Sequence, residues 1–398
     1  MSLTKLTILD LPDSAFKGKR VFVRVDFNVP VKDGQVEDDT RIRKTIPTIT
    51  YLIDRDARVI LASHLGRPKG GKDPKYSLKP VAERLSYILK REVKFIDDCV
   101  GDKVEKEVEA LKDGEILLLE NLRFYEQEEK NDREFSKALA KLCDIYVNDA
   151  FATAHRAHAS TYGITEFVPV KVAGILMKRE IEALTTVRDN PKPPFVVILG
   201  GAKVKDKIGI IEYLLPKADF MLIGGGMAYT FLHAMGVKVG KSLLETEYVE
   251  RVKNYIETGK IILPEDHVVA SEISENATYK AVREIPDDMM GVDIGPITVS
   301  RYANLIPNNG TLFWNGPLGV IEIEDFAKGS IEICKAVAYK TSEGLFSVLG
   351  GGDTLTILEK AKIDEEKFSH VSSGGGATLE FLAGIDLPGI KALDERKE

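Results

Sequence analysis

The chain has 398 residues, a length that suggests two or three domains at roughly 150 residues each. Hydrophobic residues make up 44% and charged residues 29%, enough for a packed core and too apolar for disorder. A net charge of -7 argues against a dedicated nucleic-acid binder, yet it leaves room for an anionic substrate, because a local arginine cluster outweighs a distant acidic surface.

The first half alternates short apolar runs with amphipathic stretches. The runs are RVFVRVD (20–26), RVILASH (58–64), VKFID (93–97), EILLLEN (115–121) and IYVNDAF (145–151). Between them, LKPVAERLSYILKR (78–91) and DREFSKALAKLC (132–143) read as helices. The second half repeats the pattern with FVVILGG (195–201), DFMLIGGG (219–226), HVVA (267–270), TLFWNG (311–316) and LFSVLGGGD (345–353). Nearly continuous β-branched runs read as buried parallel strands, so the expected class is α/β, with two similar-sized doubly wound parallel-sheet domains. The boundary is expected at a hinge helix over 177–189, followed by NPKPP (190–194) as a helix stop. Cys99, Cys143 and Cys334 form no CxxC, and neither a disulfide framework nor a zinc site follows. No secretory signal or membrane-length apolar run is seen, so a reducing, cytoplasmic setting is expected.

Chemistry-bearing residues gather just after the runs, at the carboxyl edge where open parallel sheets bind ligands. The first half places cations there: Arg24 with Asp26 and Asn28, then Arg41, His64 and Arg67, Arg123, and finally His155, Arg156 and His158. Any one of these arginines alone reads as a surface residue with a local carboxylate. Arginines after successive strands favour an anion pocket, since planar guanidinium forks suit phosphate and carboxylate. The His155–His158 pair has no third ligand and reads as phosphate contact or loop packing rather than metal ligation.

The second half places glycines, in GGAK (200–203), GGGM (224–227), WNGPLG (314–319), LGGGDT (349–354) and SSGGGAT (372–378). One such run is usually a turn. Several after strands in one domain suggest a nucleotide site, because glycine lets backbone approach phosphate and the next helix offers free N–H groups. Asp353, inside such a loop, is a candidate magnesium ligand; its plainer reading is a helix N-cap, and the two roles are compatible. Other motifs fail: a Walker loop ending at Gly240-Lys241-Ser242 needs glycine at Met235, and a dinucleotide fingerprint from Gly224 needs a small residue at Tyr229. Asp26-Phe27-Asn28 mimics a protein-kinase motif without its companions.

Taken together and in this order, RVDFNVP (24–30), SHLGRP (63–68), ENLRF (120–124), AHRAH (154–158), GGAKVKDK (200–207), GGGMAYTF (224–231), WNGPLG, GGGDT and SSGGGAT resemble the phosphoglycerate kinase family. The resemblance covers essentially the whole chain. Ala152 stands where the family usually has glycine, and Ser373 where threonine is common. The resemblance implies reversible phosphoryl transfer between MgATP and the carboxylate of 3-phosphoglycerate, giving 1,3-bisphosphoglycerate and MgADP. It assigns the acid to a first domain (1–176), onto which the segment from about 380 packs back, and the nucleotide to a second (190–379). Carried over residue by residue, Asp26, Phe27, Asn28, Arg41, His64, Leu65, Gly66, Arg67, Arg123 and Arg156 bind the acid. Gly201, Ala202, Lys207, Gly225, Gly226, Gly291, Asn315, Pro317, Glu322, Gly351, Gly352, Asp353 and Thr354 bind the nucleotide, and Asp353 its Mg²⁺. Arg41, Lys203, Lys207, Gly374 and Gly375 serve the moving phosphoryl group. A monomer without nucleic-acid or membrane partners is expected. The rival readings, a dinucleotide oxidoreductase and an anion-binding module without catalysis, predict a fingerprint that is missing and the loss of Arg41, Lys207 or Asp353, all present.

Overall fold

The computed structural model describes residues 4–397; Met1, Ser2, Leu3 and Glu398, which fall within the expected domain ranges, lie outside the described residues. The chain forms two compact units. One runs up to Glu182 and takes back the segment from Asp386, and the other spans Ala183–Ile385. The division falls inside a continuous helix, Ile175–Asp189.

In the unit containing Arg24, six parallel strands form one sheet: β1 (Arg20–Arg24), β2 (Arg58–Ala62), β3 (Lys94–Ile96), β4 (Ile116–Leu119), β5 (Ile145–Asn148) and β6 (Val170–Ala173). Their order is β3-β4-β2-β1-β5-β6. Val21 to Arg24 of β1 are buried because helices cover both faces of a parallel sheet, which is why the run shows no polar alternation. The helix Thr40–Ile53 buries Ile42, Thr45, Ile49, Leu52 and Ile53, a stripe at three- and four-residue spacing, against Val21, Val23 and Val59 in one core. The last segment belongs to this unit. Leu6 N–H donates to the Asp394 carbonyl across 2.8 Å, and Gly389 N–H to that of Ala154 across 2.9 Å.

The other unit holds β7 (Phe195–Leu199), β8 (Phe220–Ile223), β9 (Ile261–Ile262), β10 (His267–Ala270), β11 (Tyr279–Val282), β12 (Met290–Ile294), β13 (Thr311–Asn315), β14 (Phe346–Gly350) and β15 (His370–Ser372). Six of them form a parallel sheet ordered β9-β8-β7-β13-β14-β15, a doubly wound order whose reversal falls between β7 and β13. Trp314, Val196, Ile198 and Leu349 lie in its core. One strand departs from expectation. HVVA is not part of a parallel sheet; β10 pairs antiparallel with β11 and β12 in a small separate sheet. The connection 271–278 is too short for a parallel crossover, so the two strands it joins run antiparallel.

Candidate active site

At the carboxyl edge of the first sheet, three loops are pinned to one another. After β1, Asn28 N–H donates to Asp26 Oδ1 (3.1 Å), and Asn28 Oδ1 accepts from Gly66 N–H (2.8 Å). Phe27 N–H donates to Ser63 Oγ (2.8 Å). After β4, Asn121 exchanges hydrogen bonds with the backbone of Leu65, and Arg123 Nη1 donates to the Gly66 carbonyl (3.0 Å). Gly66 has φ +61, and a Cβ there would lie 2.5 Å from the Tyr76 ring, so only glycine lets this loop close. Arg41, in the first turn of Thr40–Ile53, reaches Asp26 Oδ2 at 3.0 Å.

Arg24, Arg41, Arg123, Arg156, His64, His155 and His158 lie close enough to act on one another's charge. Burial, then the fields of Arg24, Arg123, Arg41 and His158, hold His64 well below the usual histidine range. Burial and the fields of Arg24, Arg123, Arg156 and His155 push His158 down to about 4. Both imidazoles are therefore neutral at pH 7, and they add donors to the cluster without adding repulsion. Arg67 and Arg156 are exposed. Arg24 differs from the others, since it ends β1 fully buried.

In the second unit, a cavity of about 420 Å³ opens beside the β7/β13 reversal. Of the residues expected to hold nucleotide, Gly201, Ala202, Gly225, Gly226, Gly291, Pro317, Glu322 and Asp353 line it. Gly225 has φ +69, and a Cβ there would meet Gly201 and Pro317 backbone at 2.7–2.8 Å. Leu243, Ile273, Met290, Val292, Leu318 and Val320 supply an apolar wall, as a base-sized ligand needs.

Lys203, Lys207, Asn315, Gly351, Gly352, Thr354, Gly374 and Gly375 lie outside that wall. Lys207 is nonetheless held at the same strand ends. Its Nζ donates to Asn315 Oδ1, while Asn315 Nδ2 and Thr354 Oγ1 both donate to the Gly350 carbonyl (2.8 and 2.7 Å). Burial pulls the Lys207 ammonium down to about 8, against the fields of Asp206 and Asp353. Lys203 is exposed. Gly374 N–H is engaged by Ser372 Oγ at 3.2 Å, and Gly375 precedes the helix Gly376–Leu382.

Asp353 is not the N-cap of its helix. That position is Gly351, and Asp353 is exposed in the first turn of Gly352–Ala361. Among the described residues no group of three or more His, Cys, Asp or Glu gathers to hold a metal ion. The exposed Asp353 carboxylate on the cavity wall fits Mg²⁺, which takes one or two carboxylates and fills the rest with phosphate and water oxygens.

Several wall residues escaped the sequence reading, notably Tyr229, Lys241 and Asp293. Asp293 is buried and accepts from Gly329 N–H (2.8 Å) and Ile294 N–H (2.9 Å). Its signal was the short run MGVDI preceding a Gly-Pro turn. Tyr229 appeared only as the residue that spoils a dinucleotide fingerprint; a Cβ at Gly291 would lie 1.9 Å from its hydroxyl.

A chain with two doubly wound units, one edge crowded with cations and another walled by glycines over an apolar cavity, has the make-up of a phosphotransferase of the kinase class. It belongs to the phosphoglycerate kinase family, whose model it matches over residues 11–385. It is 52% identical over 400 residues to the cytosolic phosphoglycerate kinase of Triticum aestivum, covering 98% of this chain and 99% of that protein. It is 49% identical over 401 residues to the phosphoglycerate kinase of Dictyoglomus turgidum, covering 99% of this chain and all of that one. The structure of phosphoglycerate kinase from Coxiella burnetii superposes with a TM-score of 0.88 at 42% identity, over 98% of each chain.

Proposed function

We propose that the cation cluster binds 3-phosphoglycerate, that the glycine-walled cavity binds MgATP or MgADP, and that the γ-phosphoryl group passes reversibly to the acid's carboxylate. The observation that carries the division of labour is the contrast between the two sheet edges: Arg41, Arg123, Arg156 and His64 gather at one, and an apolar, glycine-lined cavity opens at the other.

The chemistry asks little beyond placement and charge. A carboxylate is ionised at pH 7, so its attack requires no base. The difficulty is bringing two anions together and stabilising the transferred group, which Arg41, Lys203 and Lys207 do in this reading. Asp26 and Asn28 orient the acid, and Glu322 accepts from ribose hydroxyls. Magnesium, held by Asp353 and the phosphates, neutralises charge on the nucleotide. Gly375, in the last glycine-rich turn just before the helix Gly376–Leu382, offers a backbone donor, whereas Gly374 must first release Ser372 Oγ. In-line transfer needs the reacting atoms within about 3–3.5 Å, so the reading includes closure about a hinge at 177–189 when both substrates are bound. It also includes a monomeric cytoplasmic enzyme, in keeping with the cytosolic wheat relative. A coupled assay of ADP formation tests it: turnover must depend on 3-phosphoglycerate, and turnover independent of it contradicts the reading.

A further inference from the structure

A buried chain of hydrogen bonds runs from Glu128 to His64. Both Glu128 oxygens accept from Ser160, one from its N–H (2.7 Å) and the other from its hydroxyl (2.6 Å). Ser160 Oγ in turn accepts from Arg24 Nε at 2.7 Å, and Tyr146 holds the Ser160 carbonyl at 2.8 Å. Arg24 Nη1 donates to the Val25 carbonyl, and Nη2 lies 3.2 Å from His64 Nδ1. Glu128, Ser160 and Arg24 are all fully buried.

A guanidinium has donors only and keeps its proton in proteins. The Arg24–His64 contact is therefore a hydrogen bond only if Nδ1 is the acceptor, which leaves the imidazole proton on Nε2. We propose that Arg24, anchored through Ser160 to Glu128, is a positioning residue that locks His64 as the neutral Nε2–H tautomer, a fixed donor toward the anionic acid substrate. The substrate half of this inference rests on the reading given under Proposed function.

The surroundings explain why a neutral donor is useful. His64 faces Arg24 on β1, Arg41 on the Thr40–Ile53 helix, Arg123 on the turn after β4, and His158 on the loop after β5. Asp26, which follows β1, is paired with Arg41. An imidazolium would be repelled here, whereas Nε2–H adds a hydrogen-bond donor and no charge. Glu128 lies one hydroxyl away, so it steadies the Arg24 guanidinium without taking the fork that Nδ1 uses.

Nitrogen NMR of protein labelled with ¹⁵N-histidine tests this directly. The chain has six histidines, and His64→Gln identifies the signals of His64 by their loss. The expected spectrum has His64 Nδ1 bare and Nε2 protonated, with a titration midpoint well below that of an ordinary histidine. In Arg24→Met, Nδ1 loses its donor, so a second tautomer appears and the titration midpoint rises. Glu128→Gln, which keeps the shape but removes the charge that anchors Ser160 and Arg24, should bring in the second tautomer to a smaller extent. A protonated Nδ1 in the wild type overturns the proposal, as does an Arg24→Met spectrum identical to it. If Arg24→Met does not fold, the wild-type tautomer decides alone. A separate arm titrates 3-phosphoglycerate onto His64→Gln by calorimetry. Unchanged affinity there contradicts the substrate reading of this site, and the free-protein tautomer still judges the role of Arg24.

Discussion

Arg41 Nη1 lies 3.0 Å from Asp26 Oδ2 and 3.3 Å from the Asn28 carbonyl, so the first turn of one helix delivers a guanidinium against the carboxylate that follows β1. The pair is half-exposed on the arginine side. Its contribution to stability is then small, about 0–1 kcal/mol, and its fork remains available to an incoming anion. Arg41→Ala should lower kcat by roughly 100-fold or more, as for loss of one charge-stabilising donor, with thermal stability nearly unchanged. Near-normal kcat would remove Arg41 from the phosphoryl path.

Lys207 gives the account a pH dependence. Burial lowers its ammonium to about 8 in the folded chain, below the ordinary lysine value of 10.5. The unfolded chain therefore binds more protons between those values, and this residue's cost to stability shrinks as pH rises through that window. Activity moves the opposite way: kcat/KM should fall above about pH 8 as the positive charge is lost. Lys207→Arg, always charged, should flatten that limb whatever its effect on the maximum. An alkaline limb identical in both proteins would assign it to another group.

Asp353 does not cap its helix, so Asp353→Asn should leave melting within the few tenths of a kcal/mol expected for a first-turn acid. It should weaken MgADP binding more than binding of metal-free ADP. Calorimetric titration of both ligands onto both proteins distinguishes the cases, and equal losses would exclude a metal-directed role.

Gly225→Ala places a methyl group against the backbone of Gly201 and Pro317, at a φ that alanine resists. The expected cost is about 1–3 kcal/mol in urea unfolding, with loss of nucleotide affinity because that backbone walls the cavity. Acid-substrate affinity should survive. Loss of 3-phosphoglycerate binding as well would indicate general misfolding.

Much of this was legible in the sequence because strand burial and loop chemistry coincide. β1, β2, β5 and β7 announce themselves as β-branched runs, β13 and β14 as mostly apolar ones, and each leads into a loop carrying the Arg, Asn or Gly that the site uses. What stayed hidden was set by partners distant in sequence. HVVA looked like its neighbours because a short apolar run carries no sign of its strand's direction; the connection to Tyr279 decides it. The two-residue β9 and the three-residue β15 are too short for periodicity. Asp353 was open between cap and ligand until Gly351 took the cap. The relay from Glu128 through Ser160 to Arg24 joins residues more than a hundred positions apart, which no local pattern reveals.

The central claim is that a carboxylate, and no other group, accepts the phosphoryl. The most direct measurement incubates the protein with MgATP and 3-phosphoglycerate in the presence of hydroxylamine, which attacks acyl phosphates to give a hydroxamate and leaves phosphate monoesters intact. The account predicts hydroxamate in step with ADP, only when protein, MgATP and acid are all present, and loss of both products in Arg41→Ala. ADP formed with no hydroxamate would contradict it.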